Sequence, residues 1–218
     1  MLLILGINCA QAQFMDTLHK AFTGHKSFDF RYGGRWSFVN NELVTVQSLK
    51  VGVNFGKKLS VGGGYCWLKT DVKTSFNFYD EEKHRDTLLD KTLKLSYFSY
   101  YVDYIFYKSK RWQYSIPMQF GMGHTQFQFD YEGSTFKEQK HFIALYEPGI
   151  NVKFKVLKWM GVDANVGYRI VLKNNHFLST TFNSPIYSAG VLIYWNEVAL
   201  ALFPKSGYIN EKLGPSEW

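Results

Sequence analysis

Apolar side chains recur at every second position in one segment after another of this chain, and only an extended strand puts such residues on one face. Phe28, Phe30, Tyr32, Trp36 and Phe38 form a first stripe, with Asp29, Arg31 and Arg35 on the opposite face. Leu49, Val51, Val53 and Phe55 form a second, and a tight turn at "GKK", 56 to 58, joins it to a third made of Val61, Tyr65 and Trp67. Phe98, Tyr100, Val102, Tyr104 and Phe106 form the fourth, with Asp103 on its other face, and "KSKR" at 108 to 111 turns the chain into Trp112, Tyr114, Ile116, Met118, Phe120 and Met122. Two more strands are expected from about Lys140 to Val156 and from Gly161 to about Lys173. An eighth, from about Ile186 to Asn196, carries Tyr187, Ala189, Val191, Ile193 and Trp195 on one side.

The connections differ in kind. Those after the second, fourth and sixth strands are short, whereas those near 79 to 91, 129 to 139 and 174 to 184 are longer and polar, and "VNNE" at 39 to 42 is the short exception. Short turns on one rim and long loops on the other match a barrel of the outer membrane with its turns in the periplasm. Strands of about 11 to 16 residues exceed the usual length of roughly 5 to 6, and a strand tilted by about 45° crosses a bilayer in about 9 to 11 residues. Lipid offers no partner for backbone polar groups, so such strands must close on themselves. The expected fold is all-β: a single eight-stranded antiparallel transmembrane β-barrel with short periplasmic turns and longer outer loops.

Closure explains full charges set among aromatic residues. With "LKWM" at 157 to 160 as a turn, the antiparallel register that opposes Lys153 to Asp163 also opposes Glu147 to Arg169, with Asn151 facing Asn165 and Gly149 facing Gly167 between them. Both pairs lie on the face away from the aromatic stripe. Asp29, Arg31, Arg35 and Asp103 share that inward phase. Eight strands leave an interior only wide enough for side chains, so these residues are expected to form a paired polar plug with a structural role, while the aromatic face meets lipid. Trp67, Trp112, Trp159 and Trp195 are placed for interfacial girdles.

Composition agrees with one large β domain. The 218 residues are 18% aromatic, with 18 glycines and 5 prolines. A mean hydropathy of -0.21 excludes a bundle of membrane helices but not a barrel, in which alternate residues meet lipid. The formal net charge of +7 is scattered and forms no basic arm, so no nucleic-acid partner is expected. "MLLILGINCAQAQF" reads as the back half of a signal peptide, with Ala10 and Ala12 at the positions a signal peptidase needs and cleavage after Ala12. Asn8 before Cys9 speaks against a lipoprotein signal, and cleavage leaves Cys66 with no partner for a disulfide. The expected organisation is a truncated signal peptide over 1–12, a periplasmic lead-in over 13–26, the barrel over 27–197 and a tail over 198–218, whose run Val198 to Phe203 covers the periplasmic opening or continues the strand through a bulge.

Catalytic signatures are missing from the sequence. There is no P-loop, dinucleotide fingerprint, HExxH or CxxC pair. "VGGGY" at 61 to 65 lies in a strand, where its glycines make room for neighbours. His84 and His176 fall in outer loops, His19 and His25 before the first strand, and His124 and His141 near the outer rim, where a site with Ser134 is the one conceivable arrangement for a lipid-directed enzyme. "YDEEKHRD" at 79 to 86 could contact calcium, a polysaccharide or a partner, with solvated loop charge as the simpler account.

The segments "AQAQF" at 10 to 14, "KRWQYSIPMQFGMG" at 110 to 123, "YEPGINVKFKVLKWMGVDANVGYR" at 146 to 169 and "NSPIYSAG" at 183 to 190 resemble small outer-membrane β-barrel proteins of the Bacteroidetes type, and more distantly the OmpA and OmpX kind. That resemblance implies location and topology and no particular activity. Such chains often finish their last strand on an aromatic residue, whereas Trp218 follows the turn-like "KLGPSE". The resulting expectation is a monomeric, non-enzymatic barrel of the outer membrane with no cofactor or metal, in contact with outer-membrane lipid. Its role is envelope-structural or binding through the outer loops to an extracellular or envelope partner. The alternatives are a narrow, porin-like conduit for water or small ions, a lipid-modifying enzyme, and a secreted lipid-binding barrel.

Overall fold

The computed structural model describes residues 26–39, 42–80, 85–131, 133–173 and 182–203. Among them the strands are β1 (Lys26–Val39), β2 (Glu42–Phe55), β3 (Leu59–Leu68), β4 (Val72–Asp80), β5 (Arg85–Lys108), β6 (Trp112–Tyr131), β7 (Ser134–Lys137), β8 (His141–Lys155), β9 (Met160–Lys173) and β10 (Ser184–Tyr194), followed by a helix, α1 (Trp195–Leu202). Eight strands pair antiparallel in a closed ring, β1-β2-β3-β5-β6-β8-β9-β10 and back to β1. No helix among the described residues is long and apolar enough to cross a membrane.

Local chemistry sets the short-turn end. Gly56 adopts a left-handed φ of 57° between β2 and β3, a conformation that strains any residue with a Cβ. Between β5 and β6, Ser109 N–H bonds the Trp112 carbonyl at 2.8 Å. In the β8–β9 hairpin Lys153 opposes Asp163, Asn151 opposes Asn165 and Gly149 opposes Gly167.

The ring turns its aromatic stripes outward. Phe98, Tyr100, Val102, Tyr104 and Phe106 on β5 are 37% to 62% exposed, and Trp112, Ile116, Met118, Phe120 and Met122 on β6 are similarly open. These stripes have the length needed to span a hydrocarbon core with a tilted strand, about 9 to 11 residues. A protein in water rarely exposes a continuous apolar patch beyond roughly a few hundred Å². The barrel is therefore a transmembrane one. Trp112, Trp159 and Trp195 lie outside near the short-turn end, while Trp36 and the half-buried Trp67 lie toward the other.

Ten strands rather than eight arise because two expected loops are extensions of the sheet. Residues 79–80 and 85–91 belong to the paired strands β4 and β5, in which Val72 opposes Leu93 and Asp80 opposes Arg85. The segment 129–139 contains the end of β6 and β7, with Phe129 opposite Phe136. Together β4, the start of β5, the end of β6 and β7 make a four-stranded sheet that projects beyond the ring.

In this projection the polarity of the two faces is reversed. The outward face carries Lys73, Ser75, Asp90, Lys94, Gln128, Asp130 and Lys137, with Leu88 as the exception. The inner face carries Phe76, Phe127, Phe129 and Phe136, with ring centroids 5.1 Å apart for Phe76–Phe129 and 5.4 Å for Phe129–Phe136. Lys91 lies 4.5 Å from the Phe127 ring centre and 3.0 Å from Glu138. A sheet in water buries its apolar face, so the reversal at Ser96 and His124 marks the edge of the hydrocarbon. It also explains why this region looks loop-like in sequence: its outward positions are polar, opposite to the phase of the membrane strands.

The expected eighth strand over Ile186–Asn196 instead begins at Ser184 and ends at Tyr194, where Trp195 and Asn196 enter α1. The ladder with β1 runs out at the Asp29–Tyr194 pair. Beyond it the Asn196 side chain takes the place of a strand partner, accepting from Phe28 N–H at 2.9 Å and donating to the Lys26 carbonyl at 3.3 Å. The run from Val198 thus continues as helix, not as a bulged strand, with Ala199 buried and Lys155 3.9 Å from Glu197. The expected signal peptide over 1–12, most of the expected lead-in over 13–26, the tail beyond 203, and His19, His25, His84 and His176 lie outside the described residues.

A charge placed on each side of the proposed membrane edge should separate the two regions. Val102→Lys, in the middle of the β5 belt, is expected to cost roughly 2 to 4 kcal/mol of folding free energy in lipid. Gln128→Lys on the outward face of the projection should change stability by less than about 0.5 kcal/mol. Reversible denaturant unfolding in vesicles measures both, and equal costs would place the edge elsewhere.

Candidate functional site in the barrel lumen

Inward positions of the eight ring strands converge on three stacked layers. Nearest the projection is an apolar layer of Val44, Val46, Leu93, Leu95, Phe127, Ile143 and Leu145, with Tyr97 and Phe182 packed among them. Two charged layers lie below it, and glycines make space for the largest side chains. A Cβ at Gly52 or Gly62 would collide with the Tyr101 hydroxyl, and one at Gly121 would lie 2.7 Å from the Tyr97 ring. Gly62 and Gly64 of the "VGGGY" segment face the lumen in this way, against Tyr101 and Lys50.

Glu147 organises the upper charged layer. Its Oε1 accepts from Arg169 Nε at 2.7 Å, and its Oε2 accepts from Gln119 Nε2 at 2.7 Å and from Arg35 Nη1. Gln119 Oε1 accepts from both Arg35 Nη2 and Lys50 Nζ at 2.6 Å. Arg169, fully buried, also donates through Nη1 to Ser37 at 3.1 Å. Residues from β1, β2, β6, β8 and β9 thus meet on one carboxylate and one amide.

Arg31 organises the lower layer. It donates to Asp29 at 3.2 Å, to Asp103 at 3.1 Å and to the Tyr101 hydroxyl at 3.1 Å. Lys153 Nζ lies 3.6 Å from Asp29 and 3.9 Å from Asp103. Lys153 opposes Asp163 in the ladder as expected, and its ammonium also reaches Asp29 and Asp103 across the lumen. Two almost fully buried carboxylates attract it more strongly than one half-buried Asp163. Asp29 Oδ1, Asp103 Oδ1 and Arg169 Nη2 are buried without a protein hydrogen-bond partner.

The structure brings Glu147, Arg169 and Arg35 together in one group, and Asp29, Arg31, Asp103 and Lys153 in the other. Gln119, Lys50, Tyr101 and Ser37 were not singled out from sequence. Each occupies the inward phase of its strand, a signal that ranks them beside the charged residues. The rim arrangement of His124, His141 and Ser134 does not form. His124 is exposed on the outward face beside Phe142, at a centroid distance of 6.1 Å, whereas His141 opposes Thr125 in the inward phase. Ser134 opposes Tyr131, six positions farther along β6 than Thr125, or about 20 Å at the rise of a strand. Among the described residues no group of His, Cys, Asp and Glu has the arrangement to hold a metal ion.

No protein-family model matches the chain, and no curated protein matches it. Among solved structures, Neisserial surface protein A is similar over 78% of this chain and 96% of its own, at 15% identity and a TM-score of 0.50. The attachment invasion locus protein Ail of Yersinia pestis is 17% identical over 78% of this chain and 97% of its own, with a TM-score of 0.45. The N-terminal β-barrel domain of Pseudomonas aeruginosa OprF is 11% identical over 78% and 98%, with a TM-score of 0.44. At these identities the likeness is one of fold, carried by the first of the three. The chain has the fold of the small eight-stranded outer-membrane β-barrels.

Removing one partner of a buried ion pair strands the other in a poorly hydrated interior, at a cost of roughly 3 to 5 kcal/mol. Arg169→Ala is expected to destabilise the barrel by that order, against about 1 kcal/mol or less for Lys94→Ala, whose partner Asp71 is exposed. Adding Glu147→Ala should recover part of the loss. A double-mutant cycle measured by unfolding in lipid isolates the coupling, and strictly additive effects would remove the pair from the account.

Proposed function

We propose that the protein is a monomeric, non-enzymatic barrel of the outer membrane, oriented with its short turns in the periplasm. Its lumen is a closed structural core, and its activity resides in the projecting sheet, which presents a binding surface to an extracellular or envelope partner. The observation that carries this reading is the continuity of β5 and β6. Each runs unbroken from the short-turn end through the lipid belt into the projection. A sheet anchored in this way is held at a fixed angle to the membrane, so a ligand meets a preformed surface and pays little ordering entropy.

Competing roles find less support. A conduit would have to pass the apolar layer of Val44, Leu93, Phe127 and Ile143, which packs directly above the Glu147 group. A lipid-modifying enzyme would need His124 or His141 beside Ser134, and Ser134 opposes Tyr131, about 20 Å along β6 from the position opposite His141. A secreted lipid carrier would turn its apolar face inward, whereas here the long apolar stripes face outward and two of the three lumen layers are charged. The Bacteroidetes-type relationship rests on the four sequence segments alone, and the structural–binding division within the outer-membrane role rests on the projection.

Folded protein is expected to fractionate with outer membranes, to migrate differently before and after boiling, and to give no current steps in planar lipid bilayers. Reproducible single-channel conductance from purified protein would put the conduit first. Free solubility without detergent would favour the secreted barrel.

A further inference from the structure

The two charged layers do not balance. In the upper one, Arg35, Arg169 and Lys50 surround a single carboxylate, Glu147. In the lower one, Arg31 and Lys153 face Asp29, Asp103 and Asp163. The upper layer thus carries two cations in excess and the lower layer one carboxylate in excess, which leaves one positive charge over the two layers together. Lys50 is 9% exposed; its Nζ donates to the neutral Gln119 oxygen at 2.6 Å and lies 5.6 Å from the Tyr101 ring centre, and among the described residues it forms no ion pair. The other two ammonium protons have no carboxylate to meet.

Beside Lys50 lie two adjoining cavities of about 40 and 30 Å³, both bordered by Arg31, Arg35, Lys50, Asp163 and Ser188. A water-sized guest needs about 10 to 15 Å³, so each lobe has room for one small ion. An uncompensated cation in a poorly hydrated interior is costly, and a single anion restores neutrality. Asp163 on both borders, with Asp103 and Glu147 also lining the larger cavity, repels a second negative charge and so selects against divalent anions. We propose that this mid-lumen cavity binds one small monovalent anion of the halide type, held by Lys50 Nζ, the Arg31 and Arg35 guanidinium groups and the Ser188 hydroxyl. The apolar layer closes the cavity toward the projection, so the ion is captured as the ring closes and exchanges slowly.

The inference stands on the lumen alone and is independent of the binding role assigned to the projecting sheet. Protein refolded and crystallised in sodium bromide should show anomalous bromide density in the cavity between Lys50 and Ser188. Its unfolding rate in lipid should fall roughly tenfold from sodium gluconate, whose anion is too large for the cavity, to saturating sodium bromide at equal ionic strength. Lys50→Met should abolish that difference, while Lys94→Met on the exposed projection should retain it. A cavity without bromide density overturns the proposal, as does a bromide effect that survives Lys50→Met. If Lys50→Met does not fold, the wild-type diffraction and the bromide–gluconate comparison decide, and equal rates in the two salts overturn the site.

Discussion

A peptide group in hydrocarbon has no water to bond, and every other feature of this protein follows from that constraint. Each ring strand must find a neighbour on both edges, so the sheet closes, and with eight strands it closes around a space that side chains fill. The alternation along each strand, interrupted only at the register shifts near Ile105 and Ala144, then divides its residues into a set that faces lipid and a set that faces the lumen. Large aromatic and aliphatic residues take the first. The second must fill a narrow cylinder, and glycines at 52, 62 and 121 leave the troughs in which Tyr101 and Tyr97 lie.

Charge in such a lumen is tolerated only when it is compensated. Glu147 accepts from two arginines and a glutamine, and Arg31 reaches two aspartates and a tyrosine hydroxyl. These bonds join strands that share no ladder, such as β1 with β8, and so brace the barrel across its width. Relative to a well-packed apolar filling, buried ion pairs contribute little net stability. What they supply here is discrimination between registers, because a slip of one residue would turn Glu147, Arg169 and Lys153 toward lipid and the aromatic belt inward.

The projection obeys the same alternation in a different solvent. Beyond Ser96 and His124 the strands of β5 and β6 continue without a break, but the apolar residues change faces, from Phe98 outside to Phe127 and Phe129 inside. One continuous backbone thus satisfies lipid along one part of its length and water along the other. The rigidity of the membrane part is passed on to the part that a partner can reach.

Much of this was legible in the sequence because it is local. The outward stripes, the turns at 56 to 58, 108 to 111 and 157 to 160, and the opposition of Lys153 to Asp163 all depend on residues close together along the chain. The alternation also assigned Asp29, Arg31, Arg35 and Asp103 to the lumen. It could not say which of them would meet, since Arg35 and Glu147 are 112 positions apart and are brought together only by the stagger of a closed ring. For the same reason the alternation did not show that Lys153, opposite Asp163 in its ladder, would also reach Asp29 and Asp103 across the lumen, because the curvature that brings those close is a property of all eight strands. The projecting sheet was missed because polar outward positions signify a loop only if the surroundings are lipid throughout. Period two determined that the chain would be a barrel with a charged interior; the number of strands, their stagger and the height of the membrane edge decided which charges touch and where the sheet leaves the bilayer.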